Sequence, residues 1–147
     1  FYSSKKRFSP SKKNSVMTVM DIAPTILDLA DANYPRERKG AISITGRSAL
    51  DFLTNKTNNI HGNQPIGWEL YGNRALIKGN HKLVLTWPPE GTGRWELYDI
   101  QSDPAEALDI SLDYPDLTKE LINDWIIYAK ENGVAIFERD IGYGRYP

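Results

Sequence analysis

The 147-residue sequence contains no cysteine. Disulfides, thiolate metal sites and a cysteine nucleophile are therefore excluded within it, and its redox compartment cannot be read from it. Histidine is scarce: His61 and His81 lie far apart and match no metal-ligand spacing. No Gly-x-Ser-x-Gly elbow surrounds any serine, and Gly72, Gly79, Gly91 and Gly93 form no phosphate-cradling loop. No apolar run approaches the ~20 residues needed to cross a bilayer, and Phe1 opens no recognisable signal peptide. A soluble chain is expected, and Phe1 in place of methionine suggests that it was cut from a longer polypeptide.

What is present is ordinary for a globular protein. Hydrophobic residues make up 40% and charged residues 25%, enough for one domain to bury roughly 70% of its unfolded surface. Charge is uneven. Lys5, Lys6, Arg7, Lys12 and Lys13 occur before any acid, leaving 13 basic against 19 acidic residues in the remainder. Without a recognition fold or an exposed aromatic pattern beside them, these cations read as a flexible solvated segment over residues 1–15. Neither nucleic acid nor a membrane is expected as a partner.

The stretch from Trp68 to Ile100 carries the clearest structure. Ala75, Leu76 and Ile77 run into Gly79-Asn80, a pair suited to positive φ, and the chain returns through Leu83, Val84, Leu85 and Trp87. This hairpin sets Leu76 opposite Leu83 and Ala75 opposite Val84, so apolar side chains meet on both faces. A helix or another domain is expected over the second face. Pro88-Pro89-Glu90-Gly91-Thr92-Gly93 breaks the ladder, and Trp95 to Ile100 forms a further strand.

Around this unit, Val16 to Ala30 reads as a helix with Val16, Met20, Ala23, Leu27 and Ala30 on its apolar stripe, widened by Val19 and Ile26. Asp21 suits its N-cap and Pro24 its first turn. Residues 31–47 form a connection, with a short extended piece at 41–44, and Ser48 to Leu53 supplies one or two helical turns. Asn55 to Pro65 is a polar loop that opens on Asn55-Lys56-Thr57, an N-glycosylation triplet. Ser102 to Glu106 is a turn. A second helix begins at Pro115 and carries Leu117, Leu121, Trp125 and Tyr128/Ala129 on one stripe, with Gly133 as its C-cap. Val134 to Phe137 is β-prone and suits an added strand. The glycine-broken end, 142–147, receives no assignment.

Candidate chemistry is sparse. His61 lies in the polar loop without a neighbouring carboxylate in sequence, which favours a surface role over a base or ligand. His81 flanks the hairpin tip. Asp99, Asp103 and Glu106 gather at a turn, where capping is the simpler role than cation binding. Trp68, Trp87, Trp95 and Trp125 suit a sugar or aryl surface, although core packing accounts better for at least two of them. The residues describe an α+β domain with no complete active site.

Val19-Met20-Asp21-Ile22-Ala23-Pro24-Thr25-Ile26-Leu27-Asp28-Leu29-Ala30 closely resembles a segment of type I sulfatases, and Gly46-Arg47-Ser48-Ala49-Leu50 looks like the element that follows it. Gly67 to Val84 is similar to bacterial arylsulfatases. Trp95-Glu96-Leu97-Tyr98-Asp99-Ile100, Asp103-Pro104 and Glu106 then follow in family order. These anchors span positions 16 to about 137. Ile77, Asn80 and His81 depart from the pattern, where Arg, Asp and Trp are common.

The resemblance implies the carboxy-terminal part of a sulfatase of the alkaline phosphatase superfamily. It implies an α+β fold, with an antiparallel sheet of about four strands packed on a long C-terminal helix. The Val16–Ala30 helix would belong with a main domain. The divisions expected are 1–15, the basic segment; 16–60, a helix and connection bordering that domain; and 61–147, the α+β subdomain. The family's formylglycine, made from a Cys/Ser-x-Pro-Ser-Arg motif, and its calcium ligands are expected in an N-terminal catalytic domain of the same parent polypeptide. Phe8-Ser9-Pro10-Ser11-Lys12 lacks both the convertible residue and the arginine, so no catalytic, cofactor-binding or metal residue is assigned. His61, Trp68 and Arg74 are candidates for the rim of a cleft taking a small-molecule or glycan sulfate ester. For a bacterial parent, a periplasmic or secreted location follows. A stand-alone module binding a sulfated or aromatic ligand is the alternative, and a related phosphodiesterase or phosphonate hydrolase parent a third reading.

Overall fold

The computed structural model describes residues 12–33 and 43–137. Most of the basic tail, the 34–42 part of the connection, Phe8 to Ser11 and the 142–147 end lie outside them. The chain divides into two units, 1–62 and 63–147.

In the first unit, a 3-10 turn at Val19–Asp21 leads into α1, Ile22–Leu29, and a short α2 spans Leu50–Leu53. The helix is shorter than its periodicity predicts, because residues 12–18 are extended or irregular. Much of its expected apolar stripe also faces outward, although Val16 and Leu27 are half-buried. Val19, Met20 and Ile26 are 79%, 49% and 57% exposed, whereas Asp21 and Thr25 are fully buried. Polar contacts select the buried face. Asp21 holds the N-cap position of α1, but its carboxylate reaches back to the Thr18 amide, in the manner of a capping box.

The second unit is a four-stranded antiparallel sheet in the order β1-β2-β3-β4. Its strands are β1 Ile66–Leu70, β2 Asn73–Lys78, β3 His81–Leu85 and β4 Trp95–Asp99, and α3 runs from Pro115 to Glu131. The hairpin register is the expected one, with Leu76 opposite Leu83 and Ala75 opposite Val84. Leu97 continues the row on β4. Leu76, Leu83 and Leu97 pack with Leu121, Trp125 and Ala129 of α3 into one core, and Trp95 lies 5.7 Å from the Trp125 ring. Each buried leucine contributes about 1.5–3 kcal/mol. The 17 residues of α3 make a rod of about 25 Å, long enough to cross the sheet. Gly67 allows its close approach, since a Cβ there would lie 2.5 Å from the Tyr128 ring. At one rim Lys78 pairs with Glu120 at 2.6 Å and Asp124 at 2.7 Å, and these bonds hold its ammonium above its ordinary pKa.

The added strand is β1, not Val134 to Phe137. Val134 instead closes the end of α3: its amide donates to Ala129 O at 2.9 Å, Gly133 has φ 63°, and the side chain packs on the core. This is a Schellman ending, and it commits the residue to the helix cap. The loop from Tyr71 to Gly72 joins β1 to β2 with both residues at positive φ, 54° and 88°.

Candidate functional site

The densest polar constellation lies in the first unit, around Asp21. A fully buried carboxylate is costly unless its lone pairs are met by donors, and here four converge. The Thr18 amide donates at 2.7 Å, the Thr18 hydroxyl at 3.1 Å, the Arg47 amide at 2.7 Å and His61 Nε2 at 2.8 Å. Burial pushes the carboxyl up, but the donors from Thr18, Arg47 and His61 outweigh it and hold Asp21 below the usual carboxylate range. An ionised carboxylate can only accept, so it fixes His61 with Nε2 as donor. One turn later, the Thr25 hydroxyl donates to Asp21 O at 2.6 Å and accepts from the Ala49 amide at 2.8 Å.

Glycine completes the knot. A Cβ at Gly46 would lie 1.9 Å from Met20 O, so only the smallest residue lets the 46–49 strand of chain approach closely enough for Arg47 and Ala49 to donate. Asp21-to-Thr25 and Gly46-to-Ala49, the two sequence anchors quoted separately above, are thus the two halves of one network. His61 does have a carboxylate partner, far off in sequence, and its side chain is 10% exposed. The expectation of a surface histidine is corrected: the ring is a clasp between the polar loop and the start of α1. The same loop is tied by the Ile60 amide to Ser15 Oγ at 3.1 Å.

In the second unit, Trp68 and Arg74 fall on opposite faces of the sheet. Trp68 pairs with Ala75, and Arg74 with Glu69. Arg74 lies on the helix side, its guanidinium 5.1 Å from the Trp125 ring and donating to Phe137 O at 2.5 Å. Trp68, 39% exposed, stands on the other face beside Leu70, 60% exposed. The three rim candidates are therefore distributed as one clasp, one residue against the helix and one open aromatic surface. His81 sits opposite Asp99 in the β3–β4 ladder.

The acids after β4 are engaged in turn formation. Asp99 accepts from the Gln101 amide and the Ser102 hydroxyl, and those bonds hold it below the usual range. Asp103 accepts from the Ala107 and Leu108 amides, and Glu106 pairs with Lys82 at 2.5 Å. Among the described residues no group of three or more His, Cys, Asp or Glu converges for a metal ion, and no described helix is long and apolar enough to cross a membrane.

No family model matches the chain. It is 37% identical over 130 residues to an uncharacterized sulfatase of Schizosaccharomyces pombe, which covers 81% of this chain and 22% of that protein. With human arylsulfatase K it shares 23% identity over 112 residues, covering 74% of this chain and 21% of that enzyme. A protein solved in work on glycosaminoglycan metabolism by Bacteroides thetaiotaomicron shares its fold. That likeness has a TM-score of 0.64 at 17% identity, covering 86% of this chain and 27% of the other. The chain spans about a fifth of the length of the curated relatives it matches, and by this homology and fold it is a sulfatase segment.

Proposed function

We propose that this segment is the non-catalytic, carboxy-terminal part of a sulfuric ester hydrolase of arylsulfatase type. The observation that carries the reading is the homology itself, which runs through most of this chain yet touches about a fifth of the relative. The formylglycine nucleophile and calcium would then belong to the parent's catalytic domain. In this chain the polar knot at Asp21 serves the fold: each of its donors is spent on the carboxylate, and His61 is held rather than presented.

Two features suit a partner domain and a substrate. The outward apolar side chains of the first unit, Val19, Met20, Ile22 and Ile26, form a face that a catalytic domain of the same polypeptide would cover. Trp68, open on the sheet, is the residue best disposed to rim a cleft, where an aromatic face packs against a sugar or aryl ring. The substrate class is a small-molecule or glycan sulfate ester, and the parent works in the periplasm or outside the cell.

The test is turnover of an aryl sulfate and of a sulfated glycan with calcium supplied. The polypeptide that natively carries this chain is expected to hydrolyse at least one of them, and the 147-residue chain alone neither. Turnover by the chain alone, or none by the native polypeptide, overturns the reading. In the active parent, Trp68→Ala should raise KM for the glycan and leave kcat for the small aryl sulfate unchanged.

A further inference from the structure

Asn55-Lys56-Thr57 is the single Asn-x-Ser/Thr triplet in the sequence, and the function proposed above makes no use of it. Its middle residue is not proline, as the modification requires. In the structure the triplet begins at the first residue beyond the C-cap of α2. Asn55 has φ 64°, its amide donates to Phe52 O at 3.2 Å, and the Lys56 amide donates to Asp51 O at 2.8 Å. That is the left-handed corner of a Schellman ending. Residues 55–59 are exposed and belong to no helix or strand. Lys13 Nζ, which can only donate, contacts Asn55 Oδ1 at 2.5 Å, so the carboxamide is oriented with Nδ2 directed away from that lysine.

Helix termination explains the asparagine, since asparagine tolerates this conformation better than most residues. It does not explain the threonine. Thr57 lies past the cap, and its hydroxyl makes one local bond, to Asn59 O at 3.0 Å. The exposed Asn55 and a hydroxyl two residues on, both outside helix and strand, are the two groups that an oligosaccharide acceptor supplies.

We propose that Asn55 is a site of N-linked glycosylation. In this reaction Asn55 Nδ2 loses a proton and bonds to C1 of the reducing-end sugar of a lipid diphosphate-linked oligosaccharide. The C1–O bond to the diphosphate breaks, the lipid diphosphate leaves with the electron pair, and nothing is oxidised or reduced.

The full chain, placed behind a cleavable secretion signal in a eukaryotic host, tests this in the membrane-protected and secreted pool. A slower-migrating species is expected, collapsing on N-glycosidase treatment and leaving aspartate at position 55 by peptide mass. The shift should vanish in Asn55→Gly and Thr57→Ala and persist in Thr57→Ser. Glycine suits the positive φ, so Asn55→Gly removes the acceptor without straining the corner, and Thr57→Ala leaves the corner untouched. An unmodified Asn55 throughout the translocated wild-type pool overturns the proposal. So does a shift that survives both Asn55→Gly and Thr57→Ala.

Discussion

The two units of this chain reach order by opposite means. The second buries leucines and a tryptophan between a sheet and a helix, with Leu76, Leu83, Leu97 and Leu121 fully inaccessible. The first buries an aspartate and a threonine, with only Ala49 and Phe52 as buried apolar residues among those described, and turns Val19, Met20, Ile22 and Ile26 outward. The burial of apolar area is non-directional and tolerates small shifts, whereas a buried carboxylate demands each donor at its place. The second unit should therefore lose stability in proportion to volume removed, and the first by the loss of single polar atoms.

The largest effect tests the apolar side. Trp125→Ala should cost the second unit about 4 kcal/mol, seen as an earlier denaturant midpoint and faster amide exchange at Leu83 and Leu97. A loss under about 1 kcal/mol would mean that the sheet does not depend on the helix. Next, Asp21→Asn keeps the shape but replaces an oxygen that accepts from three donors by an NH2 group, or turns that group toward the Arg47 amide. A loss of about 3 kcal/mol is expected, read as accelerated exchange of the Arg47 and Ala49 amides.

Acid reaches the same carboxylate without mutation. Asp21 is held below its unfolded value of 3.8, so its contribution is complete above that pH and is lost as pH falls through the lowered folded value. Protection of the Ala49 amide relative to its intrinsic exchange rate should fall below about pH 4 in the native chain and be flat over that range in Asp21→Asn; parallel curves would remove Asp21 from the account. Lys78→Met, at the rim of the second unit, should cost about 1 kcal/mol, because its partners Glu120 and Asp124 remain near solvent. Smallest of all, Val19→Ser should change the stability of this chain by less than about 0.5 kcal/mol, the outcome that most directly opposes a conventional amphipathic reading of that helix.

That reading shows where sequence patterns serve and where they fail. Gly79-Asn80 is unambiguous turn chemistry, and with period-two alternation on either side it set the register of the central hairpin to the residue. The α3 stripe was equally legible, because its core is apolar and apolar periodicity is what a sequence displays. The first strand was less so: the β1–β2 turn puts Tyr71 at positive φ, and tyrosine does not advertise that conformation. Gly72 beside it was the available signal. At Val134 the β-branched side chain suggested a strand, but a glycine C-cap makes the next residue the lid of the helix.

In the first unit, the 3.6-residue stripe of Val16 to Ala30 became helix only from Val19 onward and pointed largely outward, since the network that selects the buried face spans partners 26 and 40 residues away. Periodicity carries no trace of such partners. Resemblance reaches further there, because Asp21-to-Thr25 and Gly46-to-Ala49 both fall within segments that resemble type I sulfatases, and the structure brings the two together. The clasp role of His61 was hidden for the same reason, its aspartate being distant in the chain.

One small contact at the margin of the sheet has a wider bearing. The Leu97 amide donates to Asp109 Oδ1 at 3.1 Å, and the Ile110 amide donates to Leu97 O at 2.8 Å. Both main-chain groups that the middle of β4 turns away from β3 are therefore already taken. Burial pushes the Asp109 carboxyl up, but the amides of Ser111 and Leu97 outweigh it and keep it an ionised acceptor. An open strand edge invites a strand from another molecule and, with it, fibrils. Here a plug of two residues closes the middle of that edge, so a single aspartate side chain and the amide beside it stand where a strand from another molecule would have to pair with β4.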